Sequence, residues 1–332
     1  MKAIFMSKSR KNLENVYTPA TREKLCEKFE FFEPLCDLAE LDARANELCE
    51  VEVIFSTWGM FSLTSEQIAK YLPKLKSVYY GAGTVQAFAR PFIEAGIAVH
   101  SAWAANAVPV AEFTVAQIIL ANKGYFQRFH RPSNGTWINR TAVIPCPGNY
   151  NNKIGLIGIG MIGSLVAKML QSYKFEVLAF DPFLSAERAK ELNVEITSLE
   201  RIFSECTVIS NHLANNPQTV GMLNGKLFDL MQKNAVFINT GRGAQVVEDD
   251  LIAAMIAEPQ RVALLDVTLP EPPEPDSKLY TLDNVILSPH IAGSLGNEVS
   301  RMGEYMCEEC LRVMDGDAPK WQVSLKMLET MA

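Results

Sequence analysis

The sequence predicts an α/β protein built from two domains, each formed around a parallel sheet. Short apolar runs alternate with helical patterns along most of the chain, and a glycine-rich turn joins one such run to a helix. The length of 332 residues also exceeds what one hydrophobic core usually serves. We place one domain at residues 1–101 plus 294–332 and the other at residues 102–293.

Strand and helix patterns alternate from the first residues onward. Strands are expected at 2–6, 51–55, 76–80 and 96–99, and helices at 19–29, 41–48, 65–71 and 85–95. A long helical pattern then runs from Val108 to Phe129 and leads into a loop rich in Pro, Asn and Gly. Later strands are expected at 207–211, 235–239, 262–266 and 285–288, before a helix near 296–314. Such repeats predict parallel sheets with right-handed crossovers.

The most informative stretch is a glycine-rich turn in the second domain. Gly158, Gly160 and Gly163 form G-x-G-x-x-G between a strand pattern at 154–159 and a helical pattern at 161–173. The first glycine permits a tight turn, the second lets the backbone approach a pyrophosphate, and the third allows close packing of helix on strand. Free N–H groups at the helix N-terminus favour phosphates. The pattern predicts a dinucleotide-binding turn.

An acidic residue decides which dinucleotide is expected. A second strand pattern at 175–180 is followed directly by Asp181. Its carboxylate can accept hydrogen bonds from the ribose hydroxyls of NAD, and it repels the 2′-phosphate of NADP. We therefore expect NAD as the cofactor, and we assign Met161 and Ile162, between the glycines, to the same site. The alternative is that the glycines make only a tight strand-to-helix turn.

Three side chains that can carry chemistry follow successive strand patterns of the second domain. These are Arg242 in Asn-Thr-Gly-Arg-Gly, Glu271 in Leu-Pro-Glu-Pro, and His290 in Ser-Pro-His-Ile-Ala-Gly. Arginine can bind a carboxylate bidentately, and a histidine held by a glutamate can pass a proton to a carbonyl. Because the carboxyl ends of parallel strands meet at one edge, we expect the three side chains there. The alternatives are that Arg242 is a solvated cation, that Glu271 is a solvated acid, and that His290 caps a helix.

The other histidines are weaker candidates for proton transfer. His212 ends a strand pattern near the expected cofactor, so we assign it to the cofactor pocket, with proton donation as a second choice. His100 ends a strand near the domain junction, and His130 lies in a polar loop.

These segments resemble the D-isomer specific 2-hydroxyacid dehydrogenases over most of the chain. The matching segments are Gly158 to Gly163 with Asp181-Pro182, Asn239 to Gly243, Leu265-Asp266-Val267 with Glu271-Pro272, and Ser288 to Gly293. The resemblance implies reversible, NAD-dependent reduction of a 2-oxo acid to a D-2-hydroxy acid. It also implies that Arg242 binds the substrate carboxylate, that His290 is the acid/base, and that Glu271 polarises His290.

The resemblance further implies a division of labour between the domains. The first domain would be a flavodoxin-like substrate domain that closes over a Rossmann domain to make a substrate cleft. Backbone N–H groups of Ala82 and Gly83 would hold the substrate carboxylate, and Trp58 and Met60 would line the pocket.

Further cofactor and dimer residues complete the expected picture. Thr240, Gly241 and Asp266 are assigned to the NAD pocket. The resemblance makes Asp266 an acid that supports the charge balance of the active site, and a capping role at a strand end is the alternative. The helix from Val108 to Phe129 and the arm around Trp137 look like the family's dimer contact, so we expect a homodimer.

The sequence departs from the family's pattern where the substrate side chain is expected. The segment 81–88 lacks the acidic residues common in that loop, and no basic cluster for a substrate phosphate is evident. These departures leave the identity of the 2-oxo acid open. A non-enzymatic NAD(H)-sensing protein on the same fold, and a dehydrogenase of a phosphite-type oxyanion, stay open as alternatives.

Composition limits the remaining function classes. A net charge of −7 gives no electrostatic footprint for nucleic acid or an anionic membrane. Seven scattered cysteines indicate a reducing cytoplasm, and Cys307 and Cys310 lack the second pair that a zinc site needs. We therefore expect no metal. Polar residues interrupt the most apolar region, 97–121, so we expect no membrane span there.

Overall fold

The structure, a computed structural model, describes residues 1–129 and 146–329. The chain divides into two compact units, Met1–Asn106 with Ser294–Ala332 (unit 1) and Ala107–Gly293 (unit 2). The first division lies after Asn106, inside a helix, whereas the sequence analysis placed a boundary after residue 101.

The secondary structure alternates between strands and helices throughout. The elements up to residue 129 are β1 (Lys2–Met6), α1 (Arg10–Val16), α2 (Pro19–Cys26), β2 (Glu30–Phe31), α3 (Ala45–Leu48), β3 (Val53–Ser56), α4 (Ser65–Tyr71), β4 (Ser77–Tyr80), α5 (Ala89–Glu94), β5 (Ala98–Ser101), α6 (Trp103–Asn122) and α7 (Tyr125–Phe129). The elements from residue 146 onward are β6 (Tyr150–Ile157), α8 (Met161–Leu170), β7 (Lys174–Phe180), α9 (Ala186–Leu192), β8 (Glu195–Ile196), α10 (Leu199–Glu205), β9 (Val208–Asn211), α11 (Gly225–Phe228), β10 (Val236–Asn239), α12 (Glu248–Ala257), β11 (Val262–Leu265), β12 (Val285–Leu287), α13 (Glu298–Met314) and β13 (Gln322–Val323).

Unit 1 contains a six-stranded sheet in the order β13-β5-β4-β3-β1-β2. All neighbours are parallel except β13, which pairs antiparallel with β5 at one edge. The strand order 2-1-3-4-5 is the flavodoxin-like order, as predicted for this part of the chain. Buried aromatic side chains such as Tyr17, Phe55, Tyr79 and Phe92 fill its core.

Unit 2 contains a seven-stranded, fully parallel sheet in the order β12-β11-β10-β9-β6-β7-β8. Counted from β6, this is the Rossmann order 3-2-1-4-5-6 with one further strand, which confirms the predicted doubly wound sheet. The strand order reverses between β6 and β9. A ligand of such a sheet binds outside the carboxyl ends of the strands at this reversal.

The long helix predicted from Val108 to Phe129 is wrong as a single element. The structure has two helices there, α6 and α7, separated at Lys123 and Gly124. Gly124 adopts a left-handed backbone with φ +64°, a conformation that ends a helix and that glycine takes at little cost. Helix α1 and the two-residue strand β2 were not predicted.

Helix α6 is a core helix of unusual apolar character. Among the described helices, only α6 is long and apolar enough to cross a membrane by length and composition alone. From the sequence we expected its polar residues to prevent this. Its Thr114 hydroxyl lies 3.2 Å from the Thr240 hydroxyl, and Asn122 Oδ1 accepts a hydrogen bond from Asn152 at 2.6 Å. Half of its most apolar window is buried within the described chain.

Candidate active site

The glycine turn follows β6 and leads into α8. Gly158 has φ +87°, and a Cβ there would lie 2.8 Å from the carbonyl oxygen of His212. A Cβ on Gly163 would lie 2.0 Å from the Gly158 carbonyl oxygen, so only glycine lets the helix start this close to the strand. Gly160, the N-cap of α8, has open space where a Cβ would lie and no side-chain cap. The open N-terminus of α8 therefore fits a pyrophosphate.

Asp181, directly after β7, is held against the glycine turn. One carboxylate oxygen accepts a hydrogen bond from the Ile159 N–H at 2.7 Å, and the other accepts from the Phe183 N–H at 2.8 Å. Each oxygen keeps a further lone pair that can accept from a ribose hydroxyl. Met161 is exposed and Ile162 is half-buried in the first turn of α8, beside the same surface.

His212, just after β9, is buried and neutral. One ring nitrogen lies 3.0 Å from the Ser210 hydroxyl, and the other lies 3.4 Å from the Thr240 hydroxyl. Burial lowers the pKa of His212 to about 3. A ring that stays neutral at physiological pH is a poor proton donor, so His212 fits the wall of the cofactor pocket.

Arg242 follows β10 on a loop that amide side chains hold in place. Its N–H donates to Gln245 Oε1 at 3.1 Å, and its carbonyl accepts from Asn239 Nδ2 at 3.2 Å. Asn211, at the end of β9, donates to both of these amides. Burial lowers the pKa of the Arg242 guanidinium, and the negative charge of Glu271 opposes that shift. Asn239 lies in a segment that resembles the family, whereas the parts of Asn211 and Gln245 in holding this loop are not evident from the sequence.

Glu271 and His290 meet as the sequence analysis expected. Glu271 Oε1 lies 2.7 Å from His290 Nδ1, and both side chains are partly exposed. With Nδ1 held by the carboxylate, Nε2 is the ring nitrogen left to face a substrate. His290 has φ +54°, a left-handed backbone that is uncommon outside glycine and often marks a functional position.

Asp266, after β11, holds the loop that carries His290. Its carboxylate is buried and accepts three hydrogen bonds, from the Ser288 hydroxyl at 2.5 Å and from the Ile291 and Ala292 N–H groups at 2.9 Å each. The backbone N–H of His290 donates to the Asp266 carbonyl at 3.0 Å. Asp266 therefore organises the loop from 288 to 292, a contact set that sequence reasoning did not foresee.

The strand order explains why these residues share one edge. Arg242, Asp266 and His290 follow β10, β11 and β12, which are neighbours in the sheet of unit 2. The glycine turn follows β6 at the same carboxyl edge. Thr240 and Gly241 lie between β10 and Arg242, and Thr240 contacts His212 as described.

The residues expected to bind substrate in unit 1 differ in accessibility. The Ala82 N–H donates to the Tyr80 carbonyl at 2.9 Å, while the Gly83 N–H makes no hydrogen bond within the described residues. Met60 is buried in the core of the unit, and Trp58 is 38% exposed. Gly83 and Trp58 are thus the accessible members of this set.

Three further sequence predictions concern His130, the arm around Trp137, and the cysteines of α13. His130 and the arm around Trp137 lie outside the described residues. Cys307 and Cys310 are buried free thiols on α13, and burial raises the pKa of Cys310 to about 12. Within residues 1–129 and 146–329, no three His, Cys, Asp or Glu side chains are grouped as metal ligands would be.

Comparison with protein families gives one decisive match. Residues 115–292 match the model of the D-isomer specific 2-hydroxyacid dehydrogenase, NAD binding domain. The chain belongs to this family. The expected family and the expected cofactor, NAD, are therefore confirmed, and the matched residues include the glycine turn, Asp181, Arg242, Glu271 and His290.

The individual curated relatives share about a quarter to a third of their residues with this chain over the aligned regions. It is 31% identical to D-3-phosphoglycerate dehydrogenase of Archaeoglobus fulgidus over 70% of this chain and 44% of the relative. It is 26% identical to glyoxylate reductase of Korarchaeum cryptofilum over 85% of this chain and 87% of the relative. The chain spans about half the length of several curated relatives that it matches.

Solved structures show the same fold. D-lactate dehydrogenase with NAD⁺ from Lactobacillus jensenii is 24% identical, with a TM-score of 0.75 over 98% of this chain and 100% of that one. A phosphoglycerate oxidoreductase from Rhizobium etli is 23% identical, with a TM-score of 0.77 over 98% of this chain and 99% of that one. At 23–24% identity, these structures show that the chain shares their fold.

Proposed function

We propose that this family member is an NAD-dependent dehydrogenase that reversibly reduces a 2-oxo acid to a D-2-hydroxy acid. The observation that carries the proposal is the Glu271–His290 pair, 2.7 Å apart at the carboxyl edge of the NAD-binding sheet. The named relatives act on phosphoglycerate, glyoxylate or lactate, which are all small hydroxy or oxo acids and support this substrate class.

Each polar side chain has a role in this reaction. Arg242 binds the substrate carboxylate and orients the carbonyl group. NADH, when bound, supplies a hydride to the carbonyl carbon. His290 Nε2 donates a proton to the carbonyl oxygen, so that one C–H bond and one O–H bond replace the C=O π bond. Glu271 stabilises the protonated ring before this transfer and fixes its orientation. In the reverse direction the neutral ring accepts the hydroxyl proton.

The cofactor residues act through the features described above. Gly160 and the N-terminus of α8 hold the pyrophosphate, and Asp181 accepts hydrogen bonds from the adenosine ribose. Met161, Ile162 and His212 line the pocket. The proposal assigns Thr240, Gly241 and Asp266 to the nicotinamide end, where Asp266 also holds the His290 loop.

Unit 1 supplies the substrate-binding loops in this proposal. The Gly83 N–H is available to the substrate carboxylate, and the Ala82 N–H joins it if it leaves the Tyr80 carbonyl. Of the two side chains expected in the pocket, the exposed Trp58 lines the space for the substrate side chain in this proposal, whereas Met60 is buried in the core of unit 1. The scattered cysteines, of which Cys206, Cys307 and Cys310 are buried free thiols, support a reducing compartment such as the cytoplasm.

Replacing the proposed proton donor tests the reaction. In His290→Asn the ring that moves the proton is absent, so kcat should fall by roughly 10²-fold or more. NADH affinity, measured by fluorescence titration, should stay within about twofold because the glycine turn is untouched. Turnover equal to that of the native enzyme would contradict the role of His290.

A further inference from the structure

One peptide group, between Gly241 and Arg242, controls the direction of the Arg242 side chain. Its carbonyl oxygen accepts a hydrogen bond from Arg242 Nη1 at 2.7 Å, so the guanidinium is held by the backbone just before it. The N–H of the same peptide group donates to Gln245 Oε1 at 3.1 Å. Because a peptide group is planar, a side chain that fixes its N–H also fixes its carbonyl. Gln245 therefore sets the position of the carbonyl that holds the guanidinium.

The Gln245 side chain is fully buried and has hydrogen bonds at both ends of its amide. Its Oε1 accepts a second hydrogen bond from Asn211 Nδ2 at 2.6 Å, and its Nε2 donates to the Leu213 carbonyl at 2.7 Å. Asn211 Oδ1 accepts from the Leu213 N–H at 3.2 Å, which closes a ring of three residues. The reverse orientation of the Gln245 amide would place its NH₂ group against two donors. The ring therefore leaves one orientation, with Oε1 toward Arg242.

The backbone beside this ring leaves room for the two amides. A Cβ on Gly241 would lie 2.9 Å from Gln245 Oε1 and 3.0 Å from Asn211 Nδ2. The glycine at 241 thus allows both amides to approach the peptide group that carries Arg242. This contact is specific in shape as well as in hydrogen bonding.

The same ring contacts the loop that lines the proposed cofactor pocket. A Cβ on Gly158 would lie 2.8 Å from both the His212 carbonyl oxygen and the Leu213 nitrogen, so the glycine turn packs against that peptide group. The carbonyl of Leu213 then accepts the hydrogen bond from Gln245. A continuous set of contacts, all within unit 2, therefore joins the glycine turn to the loop of Arg242.

We propose that Gln245 is a positioning residue, which orients the Arg242 guanidinium for the substrate carboxylate through the Gly241–Arg242 peptide group. This inference rests on the proposed function, which assigns the substrate carboxylate to Arg242. A glutamine suits the position because it accepts from Arg242 and donates to Leu213, whereas a carboxylate cannot donate. Its amide is also neutral, so it does not compete with the substrate for the guanidinium as a carboxylate would.

Replacing Gln245 by methionine tests the proposal. Gln245→Met keeps a side chain of similar length but opens the ring, so the peptide group before Arg242 is no longer held. KM for the 2-oxo acid should rise about tenfold, with a smaller change in kcat, because the carboxylate contact is present before and during the reaction. Oxamate, a 2-oxo acid analogue that accepts no hydride, should bind the protein–NADH complex about tenfold more weakly. NADH affinity should stay within about threefold because the glycine turn is unchanged.

A second glutamine of unit 2 provides the matched control. Gln232 is half-buried before β10, at the opposite end of that strand, and its Nε2 donates to the Ser204 and Glu205 carbonyls at 3.3 and 2.9 Å. Gln232→Met also removes buried hydrogen bonds and should lower the melting temperature. It should leave KM and oxamate affinity unchanged, which separates positioning from a general loss of stability.

A double-mutant cycle tests whether Gln245 acts through Arg242. Arg242→Lys retains a cation but has no planar guanidinium for the Gly241 carbonyl to orient. In the Arg242→Lys background, Gln245→Met should therefore raise KM by less than about twofold, against about tenfold in the native background. Equal changes in KM in the two backgrounds would show that Gln245 acts elsewhere.

The outcomes distinguish this proposal from the proposed function. Unchanged KM and oxamate affinity in Gln245→Met, with turnover intact, would overturn the role of Gln245 alone. Oxamate binding that depends on Gln245, in a native protein that turns over no 2-oxo acid, would contradict only the proposed function. A native protein that neither binds oxamate nor turns over any 2-oxo acid would contradict both.

Discussion

At the scale of single residues, two carboxylates, those of Glu271 and Asp266, hold different parts of His290 and its loop. Glu271 contacts the ring of His290, whereas Asp266 holds the backbone that carries it. In the proposed reaction Glu271 stabilises the protonated His290 ring, and Asp266 fixes the position of the His290 backbone. The partial exposure of His290 suits proton exchange with substrate, and the buried Asp266 suits a fixed loop.

Removing the charge of Glu271 should slow the reaction. Glu271→Gln can keep a hydrogen bond to the His290 ring but no longer stabilises its positive charge, so kcat should fall by about tenfold to a hundredfold. NADH affinity should be unchanged. Glu274→Gln, an exposed acid on the same loop, is the matched control and should retain full activity. Equal kcat in Glu271→Gln and Glu274→Gln would refute the assigned role.

His212 should make stability fall in acid. Its pKa is about 3 in the folded protein and near 6.5 when unfolded, so between these values only the unfolded chain binds the proton. The stability contribution is therefore complete above pH 6.5 and lost as pH falls toward 3. Urea unfolding should show His212→Gln gaining about 2 kcal/mol relative to native protein between pH 7 and pH 5. Parallel losses in both proteins would contradict this.

At the scale of elements, the glycines of the turn between β6 and α8 have different roles, one in helix packing and one in the proposed cofactor binding. Gly163 permits the contact of α8 with the end of β6, and Gly160 leaves open the space in front of the helix. Two neighbouring glycines thus serve different purposes, although the sequence pattern contains both.

The pair Gly163→Ala and Gly160→Ala tests this separation. A Cβ at 163 meets a backbone oxygen at 2.0 Å, so unfolding free energy should fall by about 2 kcal/mol or more, and NADH binding should fail. A Cβ at 160 meets nothing, so the melting temperature should hold while NADH affinity drops at least about tenfold. Normal NADH affinity in Gly160→Ala would show that the pyrophosphate lies elsewhere.

The sequence predicts these elements where local pattern and topology agree. The spacing of glycines and strand ends predicts the turn, Asp181, and the meeting of Glu271 with His290, because parallel strands end at a common edge. The break at Gly124 was missed because the apolar pattern continues across it. The hydrogen bonds from the Ile291 and Ala292 N–H groups to Asp266 join segments that are distant in the sequence, so they have no local signal.

At the scale of the whole molecule, two parallel sheets of flavodoxin-like and Rossmann order form two units, and the family match covers the NAD-binding unit. The resemblance to the family and the apolar helix α6, half of whose most apolar window is buried within the chain, support an expected homodimer. We propose a homodimer. Light scattering should give about twice the chain mass of 36.9 kDa, and a mass of one chain at micromolar concentration would contradict it.

A turnover screen shows whether this chain reduces a 2-oxo acid with NADH. Purified protein is mixed with NADH and a panel of 2-oxo acids graded in size and charge, and NADH oxidation is followed by absorbance. We expect steady turnover with at least one acid and a D-2-hydroxy acid as the product. Tight NADH binding without turnover on any acid would contradict it and indicate an NADH-sensing protein instead.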